Sequence, residues 1–385
     1  MTLLKVLPFI VLAISMFIFP QEVVASASTG LSLWANYILP ALFPFFILAD
    51  LLMKQGLVDF LGALMEPLMR PIFRLPGKAA FIIAMIHTSG IPIGAILTSK
   101  LRKSGEISRL EGERLLAFTS NPSPGFMLGA VASGMLGNAA VGIVIAASVY
   151  LANLGVGLIF RFYGTDSEPA PSGAKYTWRH SYQKLKKYQY NKKPFGELLA
   201  DAVRESTATI LLVGGYIIFF SVITHLLVVL GISSRLANLI HMVSAGQISL
   251  LGGDAIIQGF METTLGCKAA VLGFQSMSTQ VGVICFMLGW GGLSVFAQVL
   301  SFTTSTDLRF RPFIIGRIIH AVFALFLSQV FLKFMPIQTA NLSGFLSVKT
   351  PWLFSLKWCC ILLLCFVLVF VILRFLSELY LRRYQ

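Results

Sequence analysis

Charged residues are scarce in this sequence. Asp, Glu, Lys and Arg together make up only 12% of its 385 residues, which is about half the share that soluble domains carry. Hydrophobic residues make up 56%, and they are grouped in runs long enough to cross a lipid bilayer. An ordinary soluble domain is therefore excluded, and the sequence predicts an all-α polytopic membrane protein.

Cysteine and acidic residues are also few. The five cysteines are an odd number and lie mostly within apolar runs, which argues against a disulfide framework, and no metal-ligand spacing occurs. Lys and Arg outnumber Asp and Glu by 30 to 16, but the basic residues lie in loops between apolar runs and form no nucleic-acid recognition motif. We therefore expect no metal, no cofactor and no nucleic-acid partner.

Motifs for ATP hydrolysis and for two classes of hydrolase are absent. A phosphate-binding loop around Gly77-Lys78 would need Gly and Ser or Thr at the positions of Ile72 and Ala79. The chain also contains neither the His-Glu-x-x-His motif of zinc peptidases nor the Gly-x-Ser-x-Gly elbow. These absences argue against an ATP-driven pump, and we do not expect an enzyme.

Apolar runs and basic loops divide the chain into five predicted segments. Lys and Arg collect in the cytoplasmic loops of membrane proteins, so the basic residues of 100–117 and 161–204 place both stretches in the cytoplasm. The segments are a first transmembrane span (1–30), a first repeat (31–160), a basic cytoplasmic linker (161–205), a second repeat (206–335) and a last span with a cytoplasmic tail (336–385).

The first apolar run, Leu3–Phe19, allows two interpretations. Ala25-Ser26-Ala27 resembles a signal-peptidase site, so residues 1–27 can be read as a cleaved signal. The run exceeds the usual signal core of about 7–15 residues, which favours a retained span.

Short polar breaks interrupt several of the apolar runs. His87 to Ala95 lies inside the run Ala79–Leu97, and Thr119 to Gly125 and Gly289 to Ser294 interrupt two others. Unwound backbone at bilayer depth is tolerated only where protein or a water-filled cavity surrounds it, and broken helices of this kind point to a transporter's binding site. Because basic residues lie on both sides of the first break, a re-entrant hairpin is predicted there. A proline-kinked packing helix is the alternative.

Two fragments recur in the two repeats. Phe45–Leu52 resembles Phe219–Leu226, each followed by a glycine, and Ser89–Ala95 resembles Gly291–Ala297. With a cytoplasmic N-terminus the first of these spans runs inward and its counterpart runs outward, so the halves are inverted. Inverted repeats with broken helices are a transporter architecture with the site at the bilayer midplane, where we expect the breaks to meet.

An ordered set of short motifs identifies a family resemblance. Phe-Pro-Phe-Phe at 43–46, Glu-Pro-Leu-Met-Arg-Pro at 66–71, Ser-Gly-Ile-Pro-Ile-Gly-Ala at 89–95, Ser-Asn-Pro-Ser-Pro at 120–124 and Gly-Trp-Gly-Gly-Leu-Ser at 289–294 precede Asp-Leu-Arg-Phe-Arg-Pro at 307–312. Over nearly the whole chain this order resembles the sporulation integral membrane protein family called YlbJ or SpoVV. That family belongs with the nucleoside-recognition "gate" proteins, whose core looks like that of concentrative nucleoside transporters.

The resemblance implies a location and a substrate. It implies gate-like repeats in a multi-pass protein of the cell membrane or outer forespore membrane of a spore-forming bacterium. It also implies transport of a small organic anion, dipicolinate, towards the forespore during sporulation. A nucleoside-like solute and a non-transporting scaffold for spore assembly stay open as alternatives. The energy source and a homo-oligomeric state stay open as well.

The breaks supply the candidate substrate-binding residues. A planar dianion needs hydrogen-bond donors and positive helix ends without a competing negative field, and glycine lets the backbone approach the ligand closely. Packing through small residues and helix capping are the structural alternatives. The candidates are Ser89, Gly90, Pro92, Gly94, Ser120, Asn121, Ser123, Gly292, Ser294 and Gln298.

Glu262 is the candidate for the coupling proton. An ionisable residue at membrane depth is a functional hypothesis by default, although a buried pair with Lys268 is an equally open interpretation. Arg309, Arg311 and Arg317 are interpreted chiefly as markers of a cytoplasmic turn, with a bidentate contact to a carboxylate as the alternative.

Overall fold

The computed structural model describes residues 2–164 and 194–334. These residues are helical and contain no strand. Four helical segments are long and apolar enough to cross a membrane, and the bent pair Val6–Ile18 and Pro20–Asn36 makes a fifth if it counts as one span. The predicted all-α polytopic membrane fold is confirmed. Most of the predicted linker, and the predicted last span with its tail, lie outside the described residues.

The first long helix begins after the short N-terminal helix α1 (Thr2–Ile18). It consists of α2 (Pro20–Leu33), a π-helical turn π1 (Trp34–Ile38) and α3 (Leu39–Lys54). The chain bends by 103° between α1 and α2, because Pro20 starts a new helix rather than continuing the old one. The predicted first span, 1–30, therefore contains two helices, and we call α2–π1–α3 long helix 1.

Its partner is α9 (Phe195–Val229), called long helix 2. The two helices pack antiparallel along their lengths. The Glu22 carboxylate lies 2.6 Å from a ring nitrogen of His225, and at the other end the ammonium of Lys54 lies 3.1 Å from Glu205. Paired helices of opposite direction are what inverted repeats require.

Each long helix is followed by the same turn. Gly56 and Gly231 have φ values of 80° and 69°, a left-handed conformation that glycine adopts without steric cost. Each starts an amphipathic helix, α4 (Leu57–Phe73) or α10 (Ile232–Val243). The amphipathic helix predicted from Leu57 to Phe73 is confirmed.

Re-entrant hairpins follow in both halves. Hairpin 1 consists of α5 (Ala79–Ser89) and α6 (Ile93–Lys103). It returns to the level where it began, since Lys78 before α5 forms an ion pair with Glu106 after α6. The re-entrant hairpin predicted there is confirmed. Hairpin 2 consists of α11 (Leu250–Met261) and α12 (Thr263–Gly273).

A broken span follows each hairpin, and one further helix ends each half. Broken span 1 consists of α7 (Arg109–Phe118) and the π-helix π2 (Gly125–Met135). Broken span 2 consists of α13 (Met277–Trp290) and α14 (Gly292–Thr303). The closing helices are α8 (Val141–Phe160) and α15 (Arg311–Phe334).

This order changes how the repeats align. The break of hairpin 1 at Gly90 corresponds in position to Glu262 in hairpin 2, whereas the sequence fragments had paired it with Gly292. Gly291 is instead the counterpart of the 119–124 break, because both interrupt the span after a hairpin. The two fragments were paired wrongly because the Ser-Gly and Gly-Gly breaks both contain small residues, although they occupy different positions in their repeats.

Basic side chains collect at one end of the bundle. Arg102 donates hydrogen bonds of 2.8 and 2.7 Å to Asp307, and these hold the pKa of the Asp307 carboxyl below its usual value. Arg309 is bonded to the buried Glu113 at 2.8 and 2.9 Å. These contacts join the loop after α14 to the first half. Because Lys and Arg are in excess here, we expect this end to lie in the cytoplasm.

Cysteine labelling tests this orientation. We expect a membrane-impermeant thiol reagent to leave Ser104→Cys unmodified in intact cells, because Ser104 is exposed at the basic end. Ser278→Cys is the matched control. Ser278 is exposed at the opposite end of the bundle, at the start of α13, so this variant should react. Labelling of the Ser104 variant from outside would reverse the topology.

Candidate functional site

A cavity of about 360 Å³ lies where the two halves meet. This volume is within the usual range for small-molecule sites. Residues from all four breaks reach its wall, and both long helices complete it. Its lining residues at the breaks include Ser89 and Ile91, Pro122 and Ser123, Glu262 and Thr263, and Gly291. The breaks therefore converge on one space, as the sequence predicted.

Most of the rest of the wall is apolar, apart from Thr264 and Gln298. Ile38 and Leu42 come from long helix 1, and Val213 and Ile217 come from long helix 2. A second cavity of about 400 Å³ shares six lining residues with the first, and it reaches Lys268. Of the described residues that line the first cavity, Glu262 alone is titratable.

Four of the predicted site residues line this cavity. Ser89 is fully buried, and its hydroxyl has no hydrogen-bond partner among the described residues. Ser123 accepts a bond of 3.2 Å from the backbone N–H of Phe126, so the capping alternative holds for it. Gln298 donates to the Ser294 hydroxyl at 3.3 Å. Glu262 is the fourth.

The other predicted residues lie behind the wall and position it. A Cβ at Gly90 would come within 2.6 Å of the Ser123 backbone nitrogen, and one at Gly94 would overlap the carbonyl oxygen of Thr119. Both glycines therefore let hairpin 1 lie directly against broken span 1. Gly292 does the same for hairpin 2, since its Cβ would lie 3.0 Å from the carbonyl oxygen of Met261.

Pro92, Ser120, Asn121 and Ser294 are buried in this second layer. The hydroxyl of Ser120 and the side-chain oxygen of Asn121 have no hydrogen-bond partner among the described residues. The Asn121 amide nitrogen lies 3.5 Å from His87. Buried polar groups without partners are uncommon, so the break at 119–124 keeps hydrogen-bonding capacity that the fold itself does not use.

Glu262 starts α12 and has no ion-pair partner among the described residues. Its side chain accepts a bond of 2.8 Å from the backbone N–H of Leu265, which is a helix N-cap. It is 5% exposed. Lys268 lines the adjoining cavity, and in the described part of the chain it forms no ion pair with Glu262.

The two closing helices contact the breaks through Tyr150, which was not selected from the sequence, and Arg317, which was assigned there to a cytoplasmic turn. The Tyr150 hydroxyl in α8 lies 3.2 Å from the carbonyl of His87 and 3.3 Å from that of Pro122. In α15, Arg317 donates to the carbonyls of Ser120 and Trp290. Arg317 is fully buried, so its assignment as a cytoplasmic topology marker is wrong. Polar residues within each apolar span were the available signal.

The breaks also place the N-terminal ends of four helices near the cavity. α6, π2, α12 and α14 all begin at a break, and the first backbone N–H groups of a helix have no intrahelical partner. Positive helix ends favour anionic groups. Within the described ranges, no three His, Cys, Asp or Glu side chains come together as metal ligands would.

Comparison with known proteins identifies a domain and a family. Residues 36–139 match the family described as "Gate", nucleoside recognition, so this is a polytopic membrane protein with a gate domain. The sporulation integral membrane protein YlbJ of Bacillus subtilis is 39% identical over 353 residues, which are 88% of this chain and 84% of that protein. The chain belongs to the YlbJ family of sporulation integral membrane proteins.

A more limited similarity exists to a second protein. An uncharacterized protein of Alkalihalophilus pseudofirmus is 30% identical over 95 residues, which cover 24% of this chain and 20% of that protein. No solved structure matches the chain.

Proposed function

We propose that this chain is a transporter for a small organic anion, with dipicolinic acid as the substrate and the outer forespore membrane as the location. Transport rather than catalysis is proposed. The observation that carries the proposal is the cavity at the meeting point of four helix breaks. Unwound backbone in a membrane interior is tolerated only where protein or such a cavity surrounds it, and transporters bind their solutes at broken helices of this kind.

The chemistry of the cavity suits a flat aromatic anion. Apolar side chains from both long helices offer faces for a ring, while Ser89, Thr263 and Gln298 offer polar groups at the breaks. Helix N-termini supply backbone donors for carboxylates. Several neutral donors spread the interaction over the ligand, so that it remains reversible.

Glu262 must be neutral when the anion binds. Glu262 lines the cavity, and an ionised carboxylate there would repel a second negative charge at close range. We propose that Glu262 takes up a proton as the anion enters and releases it as the anion leaves. The proton gradient would then drive accumulation.

A nucleoside-like solute is the second candidate, because the matching gate family is described by nucleoside recognition. A proton on Glu262 would let it donate a hydrogen bond to a neutral ligand as well. A scaffold that transports nothing is the third candidate. It requires no solute in the cavity.

Uptake into proteoliposomes separates these candidates. We expect the purified full chain to accumulate labelled dipicolinate, with uptake blocked by an excess of unlabelled dipicolinate and not by uridine. Uptake of uridine instead would favour the nucleoside-like function. Uptake of neither solute by folded, monodisperse protein would favour the scaffold.

A further inference from the structure

Arg317 lies directly behind the wall of the first cavity. Its side chain is fully buried in α15. Leu288 and Gly291 line the cavity, and Arg317 Nη2 donates a bond of 2.9 Å to the Leu288 carbonyl. A Cβ built at Gly291 would lie 3.1 Å from the same nitrogen. One thickness of backbone therefore separates the guanidinium from the cavity.

All hydrogen-bond partners of this guanidinium are neutral. Nε donates to the Trp290 carbonyl at 3.0 Å, and Nη1 donates to the Ser120 carbonyl and, at 3.0 Å, to His320 Nδ1. Arginine only donates, so this His320 nitrogen accepts. The other nitrogen, Nε2, lies 2.8 Å from the Val149 carbonyl and must carry the proton. His320 is therefore neutral.

The positive charge is thus not cancelled by the fold. Among the described residues, Arg317 forms no ion pair with a carboxylate. A buried cation is costly unless another charge compensates it, and intramembrane charges usually mark the path of a substrate or ion. Its four bonds also leave one N–H of Nη2 unused, on the nitrogen nearest Gly291.

We propose that Arg317 determines the charge selectivity of the cavity. Its fixed positive charge acts across Gly291 and favours an anionic solute over a neutral or cationic one. The absence of a side chain at Gly291 keeps the separation small. This inference rests on the proposed function in that the cavity binds the solute, but it does not depend on the identity of the solute.

The alternative is a purely structural Arg317 that only ties the two broken spans together. A structural residue would change folding or binding of all solutes alike. A charge-selectivity residue would change the preference between charges. The test must therefore measure that preference, with reagents that do not depend on the natural substrate.

A single introduced thiol in the cavity can report its potential. Ser123→Cys is close to the native side chain in shape, and Ser123 lines the first cavity but not the one that reaches Lys268. The five native cysteines are replaced by alanine in the full chain, and Glu262→Gln removes the one titratable lining group. The rates of modification by anionic and cationic methanethiosulfonate reagents are then compared. Ser104→Cys at the exposed basic end is the control.

With Arg317 present, we expect the ratio of anionic to cationic rates in the Ser123→Cys protein to exceed that in free cysteine. Arg317→Gln should lower this ratio by about tenfold, and Arg317→Lys, which keeps the charge, should preserve most of it. The ratio in the Ser104→Cys control should not change. If the cavity prefers the cationic reagent while Arg317 is intact, the inference is overturned without reliance on an Arg317 variant.

An unchanged ratio in folded Arg317→Gln would also overturn the inference. A lower ratio in that variant, together with failure of the intact protein to take up dipicolinate, would support the role of Arg317 and reject dipicolinate as the substrate. The two hypotheses can therefore fail separately.

Discussion

Gly90→Val and Gly292→Val are expected to abolish uptake of the solute while the protein still reaches the membrane. Both glycines have left-handed backbones, with φ of 84° and 74°, which a β-branched residue rarely adopts. A Cβ at Gly90 would also press against the Ser123 backbone, and one at Gly292 against Met261. Each hairpin tip would therefore be forced away from its broken span, and the cavity would change shape.

Gly215→Val is the matched control. Gly215 lies in long helix 2, and a Cβ there meets no other atom within 4 Å. Uptake by this variant should stay within about twofold of the native rate, since surface substitutions usually change stability by no more than about 0.5 kcal/mol. Normal uptake by both hairpin variants would contradict the broken-helix mechanism.

Glu262→Gln is expected to retain binding of the anion and to lose proton-driven accumulation. Glutamine resembles the protonated acid, and its side-chain oxygen can still accept the bond from the Leu265 N–H. With one proton carried per anion, a pH gradient of about one unit could support about tenfold accumulation. Proteoliposomes with an imposed gradient should show this accumulation for the native chain and only equilibration for the variant.

The control for this variant is Glu22→Gln. Glu22 lies at the start of long helix 1, and its carboxylate contacts His225. The Glu22→Gln protein should accumulate solute normally. If Glu262→Gln accumulates solute in response to the gradient as the native chain does, the coupling proton lies elsewhere. Loss of binding in this variant would instead assign Glu262 to direct contact with the solute.

Local signals predicted the first half of the fold well. The amphipathic helix Leu57–Phe73 has apolar residues at helical spacing, and the break at Gly90 combines glycine and proline, which end helices. Hairpin 2 was not predicted. Its second arm, Thr263–Gly273, continues in the sequence into an apolar run, and only a short bend around Gln275 separates it from α13.

The candidate site was also predicted only in part. Polar residues at breaks could be selected from the sequence because polar side chains stand out between apolar runs. Which of them face the cavity depends on helix rotation, so Ser89 lines it while Ser120 lies behind the wall. Arg317 resembled the neighbouring Arg309 and Arg311 in sequence. Only its position more than one turn inside α15 makes it a buried group.

Residue separations along the two long helices give the depth of the cavity. Asp50 and Glu205 mark one level, since both contact the Lys100 ammonium at 3.0 Å. The lining residues Leu42 and Ile38 lie 8 and 12 positions before Asp50, and Val213 and Ile217 lie 8 and 12 positions after Glu205. At a rise of about 1.5 Å per residue, these separations are about 12 and 18 Å.

If the level of Asp50 and Glu205 is placed at the edge of a hydrocarbon core about 30 Å thick, the cavity lies near the middle of that core, and under the proposed function a solute in it would have nearly the same distance to travel to either face. The electrostatic self-energy of an ion in a slab of low dielectric constant is greatest at the centre. Under the proposed function, the protein would therefore bind its anionic solute at the depth where the barrier of the bilayer is highest.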